Sequence, residues 1–222
     1  MIRLLLADDQ ALVRRGLRMI LETEPDLIVV AEAGDGLEAL DAAATHRPDV
    51  ILMDLRMPNL DGIAAIERLP ADAKVLVLTT FSGDGQVYAA LRAGASGYLL
   101  KTAPPEQLVT AVRTVAGGDA LLDPRITRRL IQDAVSGPAP EGRRAALSAL
   151  TDREIDVLVQ IARGRSNAEM AAAVFLSEAT VKTYLSRILT KTGTRSRTQL
   201  VVLAYETGLV RPGDAAATNR PD

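Results

Sequence analysis

Between residues 2 and 115, short apolar runs and amphipathic stretches take turns along the chain. The runs over 2–7, 27–33, 50–54, 74–79 and 97–100 are rich in Leu, Val and Ile and read as strands. The intervening stretches 10–22, 37–45, 62–69, 86–93 and 105–115 have helical spacing. On the first, Leu12, Leu17, Ile20 and Leu21 are expected on one side. His46-Arg-Pro48 stops the second, Gly94 the fourth and Gly117-Gly118 the fifth. The run Val50-Ile-Leu-Met lacks alternation, as expected of a strand buried on both faces. Five strand–helix alternations predict a five-stranded parallel sheet covered on both sides, an α/β domain over 1–118.

The pattern then changes. Residues 119–147 hold one further helix, over 125–135, and then SGPAPEGRRAAL at 136–147, a flexible linker by composition. From 148 to 211 the pattern is entirely helical. Thr151-Asp-Arg-Glu154, Ser166-Asn-Ala-Glu169 and Ser196-Arg-Thr-Gln199 fit the capping box, and Ser177-Glu-Ala-Thr180 fits it in part. Gly164 and Gly193 suit helix ends. Helices follow over 152–163, 167–174, 178–192 and 197–207. On a wheel of the third, Val181, Leu185, Ile188 and Thr192 share one face with Leu189 beside them. Thr183, Ser186, Arg187 and Thr190 lie opposite, flanked by Lys182 and Lys191. A cationic and hydroxyl face without a carboxylate after Glu178 suits phosphates and base edges. A merely solvated face would look the same. The tail over 212–222 reads as disordered.

Composition narrows the function classes. Among 222 residues there is no cysteine, which excludes disulfides and thiolate metal sites. No apolar run is long enough to cross a bilayer, and Asp8-Asp9 interrupts the first one too early for a signal peptide. A cytoplasmic protein without membrane contact is expected. Residues 148–211 carry 9 Lys and Arg against 6 Asp and Glu, a net +3, and the rest carries −5. The two halves are therefore suited to different partners.

The strand ends hold the candidate chemistry. Asp8 and Asp9 follow the first strand, Asp54 ends the third, Thr79 the fourth and Lys101 the fifth. In a parallel sheet these ends share the edge where ligands bind. Singly, each has an ordinary reading: Asp54 as a turn or cap residue, Asp8-Asp9 as helix-start carboxylates, Thr79 as a strand residue, Lys101 as a loop lysine. Together they form a site. Three carboxylates repel one another, and Mg²⁺ relieves that while keeping room for a phosphate. Lysine and threonine can each hold a phosphoryl oxygen, with Asp54 as nucleophile.

Asp8-Asp9, Met53-Asp54-Leu-Arg-Met-Pro58, Leu78-Thr79 and Gly94-Ala-Ser-Gly97-Tyr98-Leu-Leu-Lys101 resemble the receiver domain of bacterial two-component response regulators. The resemblance implies a flavodoxin-like fold, a sensor histidine kinase as phosphoryl donor and Mg²⁺ as cofactor. It implies Asp54 as phosphoacceptor, with Asp8, Asp9, Asp54 and the Arg56 carbonyl around the metal. Thr79 and Tyr98 match the family's switch pair, in which Thr79 moves towards the phosphoryl group and the Tyr98 ring fills the space it leaves. Leu150-Thr-Asp-Arg-Glu154, Ser166-Asn-Ala-Glu169 and Leu176-Ser-Glu-Ala-Thr-Val-Lys-Thr183 resemble the LuxR-type helix-turn-helix. Both halves together are similar to the NarL/FixJ class.

That likeness implies double-stranded DNA as partner. Lys182, Thr183 and Ser186 would face bases, and Thr180, Arg187 and Lys191 phosphates. It also implies a homodimer on activation through the last helix, presenting Leu200, Val201, Leu203 and Ala204. Tyr184 stands where histidine is frequent in the family, and Ser186 where some members carry lysine. Two rivals remain. One is an Asp-nucleophile phosphatase, disfavoured because Arg56 occupies the place of the acid two residues on. The other is a constitutive DNA-binding module. An enzyme with turnover is not expected, beyond self-phosphorylation and slow aspartyl-phosphate hydrolysis.

Overall fold

The computed structural model describes residues 1–80, 84–119 and 146–211. The helix expected over 125–135, the linker up to 145 and the tail over 212–222 lie outside them. The chain divides into two compact units, Met1–Asp123 and Pro124–Asp222.

In the first unit, strands β1 (Ile2–Ala7), β2 (Leu27–Ala33), β3 (Val50–Met53), β4 (Val75–Thr79) and β5 (Gly97–Leu100) alternate with helices α1 (Ala11–Leu21), α2 (Gly36–His46), α3 (Gly62–Arg68), α4 (Asp84–Ala93) and α5 (Pro105–Ala116). The strands form one parallel sheet in the order β2-β1-β3-β4-β5. Every residue of β3 is buried, as its unbroken apolar run requires. One face packs Leu4, Leu6, Val50, Leu52, Leu76 and Leu78 against Leu108, Val112 and Val115 of α5 and Leu17 and Ile20 of α1. Lys74 Nζ, just before β4, donates to the Ala116 carbonyl at 2.6 Å and closes the end of α5. Asp35 and Asp61 cap α2 and α3, accepting from the N–H groups of Glu38 and Ala64.

One expectation fails in α1. Leu12 is 82% exposed and Met19 75%, while Leu21 is fully buried. At 100° per residue Leu12 falls roughly 180° from Leu21, so the two could not share a face.

In the second unit, a helical turn over 146–148, overlapping the end of the stretch expected as linker, leads to α6 (Asp152–Ala162), α7 (Asn167–Ala173), α8 (Glu178–Thr192) and α9 (Arg197–Glu206). Capping sets these starts. The boxes at Thr151–Glu154 and Ser166–Glu169 are complete in both directions. Ser196 accepts from Gln199 N–H, but the Gln199 side chain accepts from Arg195 N–H at 2.6 Å, one residue before the cap. Gly193 ends α8 in the left-handed region, with φ 66.

Candidate functional site

The sheet register builds the first site. Ala7, Met53 and Val77 lie side by side on β1, β3 and β4, and Thr79 beside Leu100. The ladder runs one residue further: Asp54 N–H donates to Ala7 O at 2.8 Å, and Lys101 N–H to Thr79 O at 2.8 Å. Asp8 N–H donates to Ala33 O at 3.0 Å. Backbone bonds thus hold Asp8, Asp54 and Lys101 at one edge of the sheet.

Their side chains meet. Lys101 Nζ lies 2.5 Å from Asp8 Oδ2 and 2.6 Å from Asp54 Oδ2. Asp8 and Asp54 are buried and Asp9 is exposed. Burial alone lowers the Lys101 pKa, but its bonds to Asp54 and Asp8 outweigh that and raise it. Asp54 Oδ1 accepts from Leu55 N–H at 2.7 Å and, more weakly, from Arg56 N–H at 3.4 Å. Carboxylate oxygens of Asp8, Asp9 and Asp54 all lie within 4.8 Å of one another. Such a set of hard oxygen donors fits a magnesium-sized cation.

Thr79 and Tyr98 sit behind the carboxylates, each 1% exposed. The Tyr98 ring already points inward, and its phenol is hydrogen-bonded to the Thr79 side chain. Burial, helped by the Asp54 charge and opposed by the Thr79 bond, pushes the phenol pKa up to about 12. The inward position expected of the switched ring is thus occupied here.

The second site is the α7–α8 pair. Ser177 caps α8 by accepting from Thr180 N–H, and its hydroxyl lies 2.8 Å from that of Thr180. Val181 and Ile188 are fully buried, while Lys182, Thr183, Ser186, Arg187, Thr190 and Lys191 are exposed. The Thr183 and Thr190 hydroxyls donate to the carbonyls of Ala179 and Ser186 on their own helix, at 3.0 Å each. That leaves Thr183 its methyl group and an oxygen acceptor to offer outward.

The first unit matches the model of the response regulator receiver domain over residues 4–113, and the second that of the LuxR family of bacterial regulatory proteins over 148–204. The transcriptional regulatory protein YxjL of Bacillus subtilis (strain 168), described as uncharacterized, is 40% identical over 213 residues, covering 95% of this chain and 98% of that one. LiaR of the same strain is 39% identical over 214 residues, covering 95% and 100%. The crystal structure of the response regulator ChrA, from a heme-sensing two-component system, superposes with a TM-score of 0.51 at 40% identity, over 94% of this chain and 98% of that one. The chain belongs to the two-component response regulators.

Within this response regulator, the residues expected on a dimer face are covered in the single chain. Leu200, Val201, Leu203 and Ala204, assigned to a dimer face, are each at most 4% exposed. Val202 and Tyr205 of α9 are buried too. The Tyr205 hydroxyl bonds back to Ala162 O in α6 at 3.4 Å. Lys191, assigned to phosphates, has its Nζ 2.7 Å from Glu154 Oε2.

Pattern reading also passes over Gly62. A Cβ there would lie 2.1 Å from the Asp54 carbonyl oxygen and 2.9 Å from Leu55 Cα, and Gly62 N–H donates to Leu55 O at 2.9 Å. The response regulator needs glycine here because α3 begins against the backbone of Asp54. A glycine opening a helix, in Asp61-Gly62, was the available signal. The same loop is tied by Asn59 Nδ2 donating to Asp35 Oδ2 at 2.6 Å, with Asn59 at φ 58.

Proposed function

We propose that a sensor histidine kinase's phosphohistidine donates its phosphoryl group to Asp54, and that the modified chain binds operator DNA. The observation that carries this reading is the buried Asp54 carboxylate, bonded to Lys101 at 2.6 Å beside Asp8 at the sheet edge. An Asp54 oxygen attacks phosphorus; the new P–O bond forms as the P–N bond breaks, and the electron pair leaves with the imidazole. Lys101 Nζ holds one phosphoryl oxygen and the Thr79 hydroxyl another. Asp8, Asp9, Asp54 and the Arg56 carbonyl would hold Mg²⁺, which when bound offsets the charge of the phosphoryl oxygens.

Phosphorylation adds about −1.5 to −2 charge. Thr79 turning towards that charge gives up its bond to Tyr98, so the ring's anchoring reports the state of Asp54. On the output side, Lys182, Thr183 and Ser186 face bases, and Thr180 and Arg187 phosphates. The phosphorylated chain forms a homodimer, and Leu200, Val201 and Ala204 of α9 join that contact once they are uncovered. The aspartyl phosphate hydrolyses slowly, without turnover of small phosphoesters, and the chain works in the cytoplasm. No helix among the described residues is long and apolar enough to cross a membrane.

Incubation with acetyl phosphate and Mg²⁺ is the test. It should add one phosphoryl group by mass spectrometry, increase the size-exclusion mass and raise affinity for duplexes selected from a random pool. Asp54→Asn should do none of these. Equal labelling of Asp54→Asn would refute the assignment.

A further inference from the structure

Two adjacent residues of α6 reach the end of α7, where the turn to α8 begins, and the last turn of α8. An Arg153 guanidinium N–H donates to the carbonyl of Val174, at the turn that precedes α8. Glu154, 3% exposed, receives Lys191 from the last turn of α8. The same Glu154 oxygen, Oε2, accepts from Thr151 N–H at 2.8 Å, from the Thr151 hydroxyl at 3.0 Å and from Lys191 Nζ at 2.7 Å. Between these points α8 rests on the buried Val181 and Ile188. Apolar contact is non-directional: it resists lifting the helix off but only weakly opposes rolling or sliding it. The two polar ties are directional and act where the apolar contacts do not.

We infer that Arg153 and Glu154 are positioning residues for DNA reading, and that Lys191 is the tether of α8 and not a phosphate contact. This rests on α8 being the reading helix. Arg153 fixes the α7–α8 turn, and through it the N-terminal end that enters the groove, and Glu154 with Lys191 sets the roll of Lys182, Thr183 and Ser186 about the helix axis. Lys191 spends its charge on a buried carboxylate, so it adds nothing to counterion release. Glu154 also explains itself: a carboxylate used only as a cap would do as well exposed, as Glu169 is in the second box.

The test uses the full-length chain. Duplexes enriched by the wild-type protein from a random pool are compared with scrambled duplexes of equal length, across a salt series. The variants are Lys191→Met, Glu154→Gln, the double variant and Lys191→Arg. Glutamine keeps the cap, so Glu154→Gln separates tethering from folding. Each single variant should lower the preference for the enriched duplex roughly tenfold, about one misread base pair. The double variant should lose no more than either single one. The slope of log affinity against log salt should stay unchanged, and Lys191→Arg should restore the preference.

The inference is overturned if Lys191→Met weakens both duplexes equally and flattens the slope by about one unit, the signature of a lost phosphate contact. It is overturned as well if the variants lower Tm but leave the preference intact. A wild-type chain that enriches no duplex would instead remove the DNA-binding reading beneath it.

Discussion

Gly62→Ala puts the receiver geometry under direct strain. The added Cβ would meet the Asp54 carbonyl oxygen at 2.1 Å, Leu55 Cα at 2.9 Å and the Asp54 carbonyl carbon at 3.0 Å. All three are backbone atoms, so no flexible side chain can swing aside. Relief requires α3 and the phosphoacceptor backbone to separate by roughly 1 Å, and overpacking of this kind costs about 1–3 kcal/mol. In a domain of this size each kcal/mol lowers Tm by roughly 4 °C. The larger effect falls on chemistry. Asp54 is held at 2.6 Å from Lys101, and a 1 Å misplacement of a reacting group costs about a hundredfold in rate. The assay is the rate of Mg²⁺-dependent labelling by acetyl phosphate, read beside thermal unfolding. Wild-type labelling and an unchanged Tm would show that α3 does not press on Asp54, and the account of the site's support would fail.

Three further outcomes are expected. Lys101→Met leaves two buried carboxylates without their cation, so Tm should fall by the equivalent of about 3 kcal/mol in Mg²⁺-free buffer and recover in part when Mg²⁺ is added; a Tm that is unchanged, or that ignores Mg²⁺, counts against the shared cation site. The Glu154 pKa is held below its ordinary 4.5, first by Lys191 and then by the Thr151 N–H. A depressed carboxylate contributes stability that is present above about pH 4.5 and lost as pH falls through its folded value. Acid melts of Glu154→Gln should therefore be flatter below pH 4.5 than wild type, and parallel melts would sink the assignment. Phe175 has φ 54 and is 93% exposed, so Phe175→Gly relieves the left-handed backbone while losing no packing. It should raise stability by about 1 kcal/mol in denaturant melts, and a loss would mean the ring has a packing role.

Much of this protein was legible in its linear order because the information was local. Short apolar runs and period-3.6 patterns depend only on neighbours in the chain, and among the described residues they located the strands and helices to within a residue or two. Capping boxes are local as well, so Thr151 and Ser166 mark their helix starts unaided. The convergence of Asp8, Asp54 and Lys101 followed from one topological rule, that parallel strands share their carboxyl edge. Facing and burial were decided only by tertiary packing. The strand order β2-β1-β3-β4-β5 depends on which helices cover which face. The coverage of α9 depends on its neighbours, since an apolar residue on a wheel can meet its own domain or another molecule equally well. The close approach of Gly62 to Asp54 and the Glu154–Lys191 pair, 37 residues apart, are contacts between distant parts of the chain that no local pattern encodes. Residue types and periods say which groups can interact, and only packing in three dimensions selects the partner each one meets.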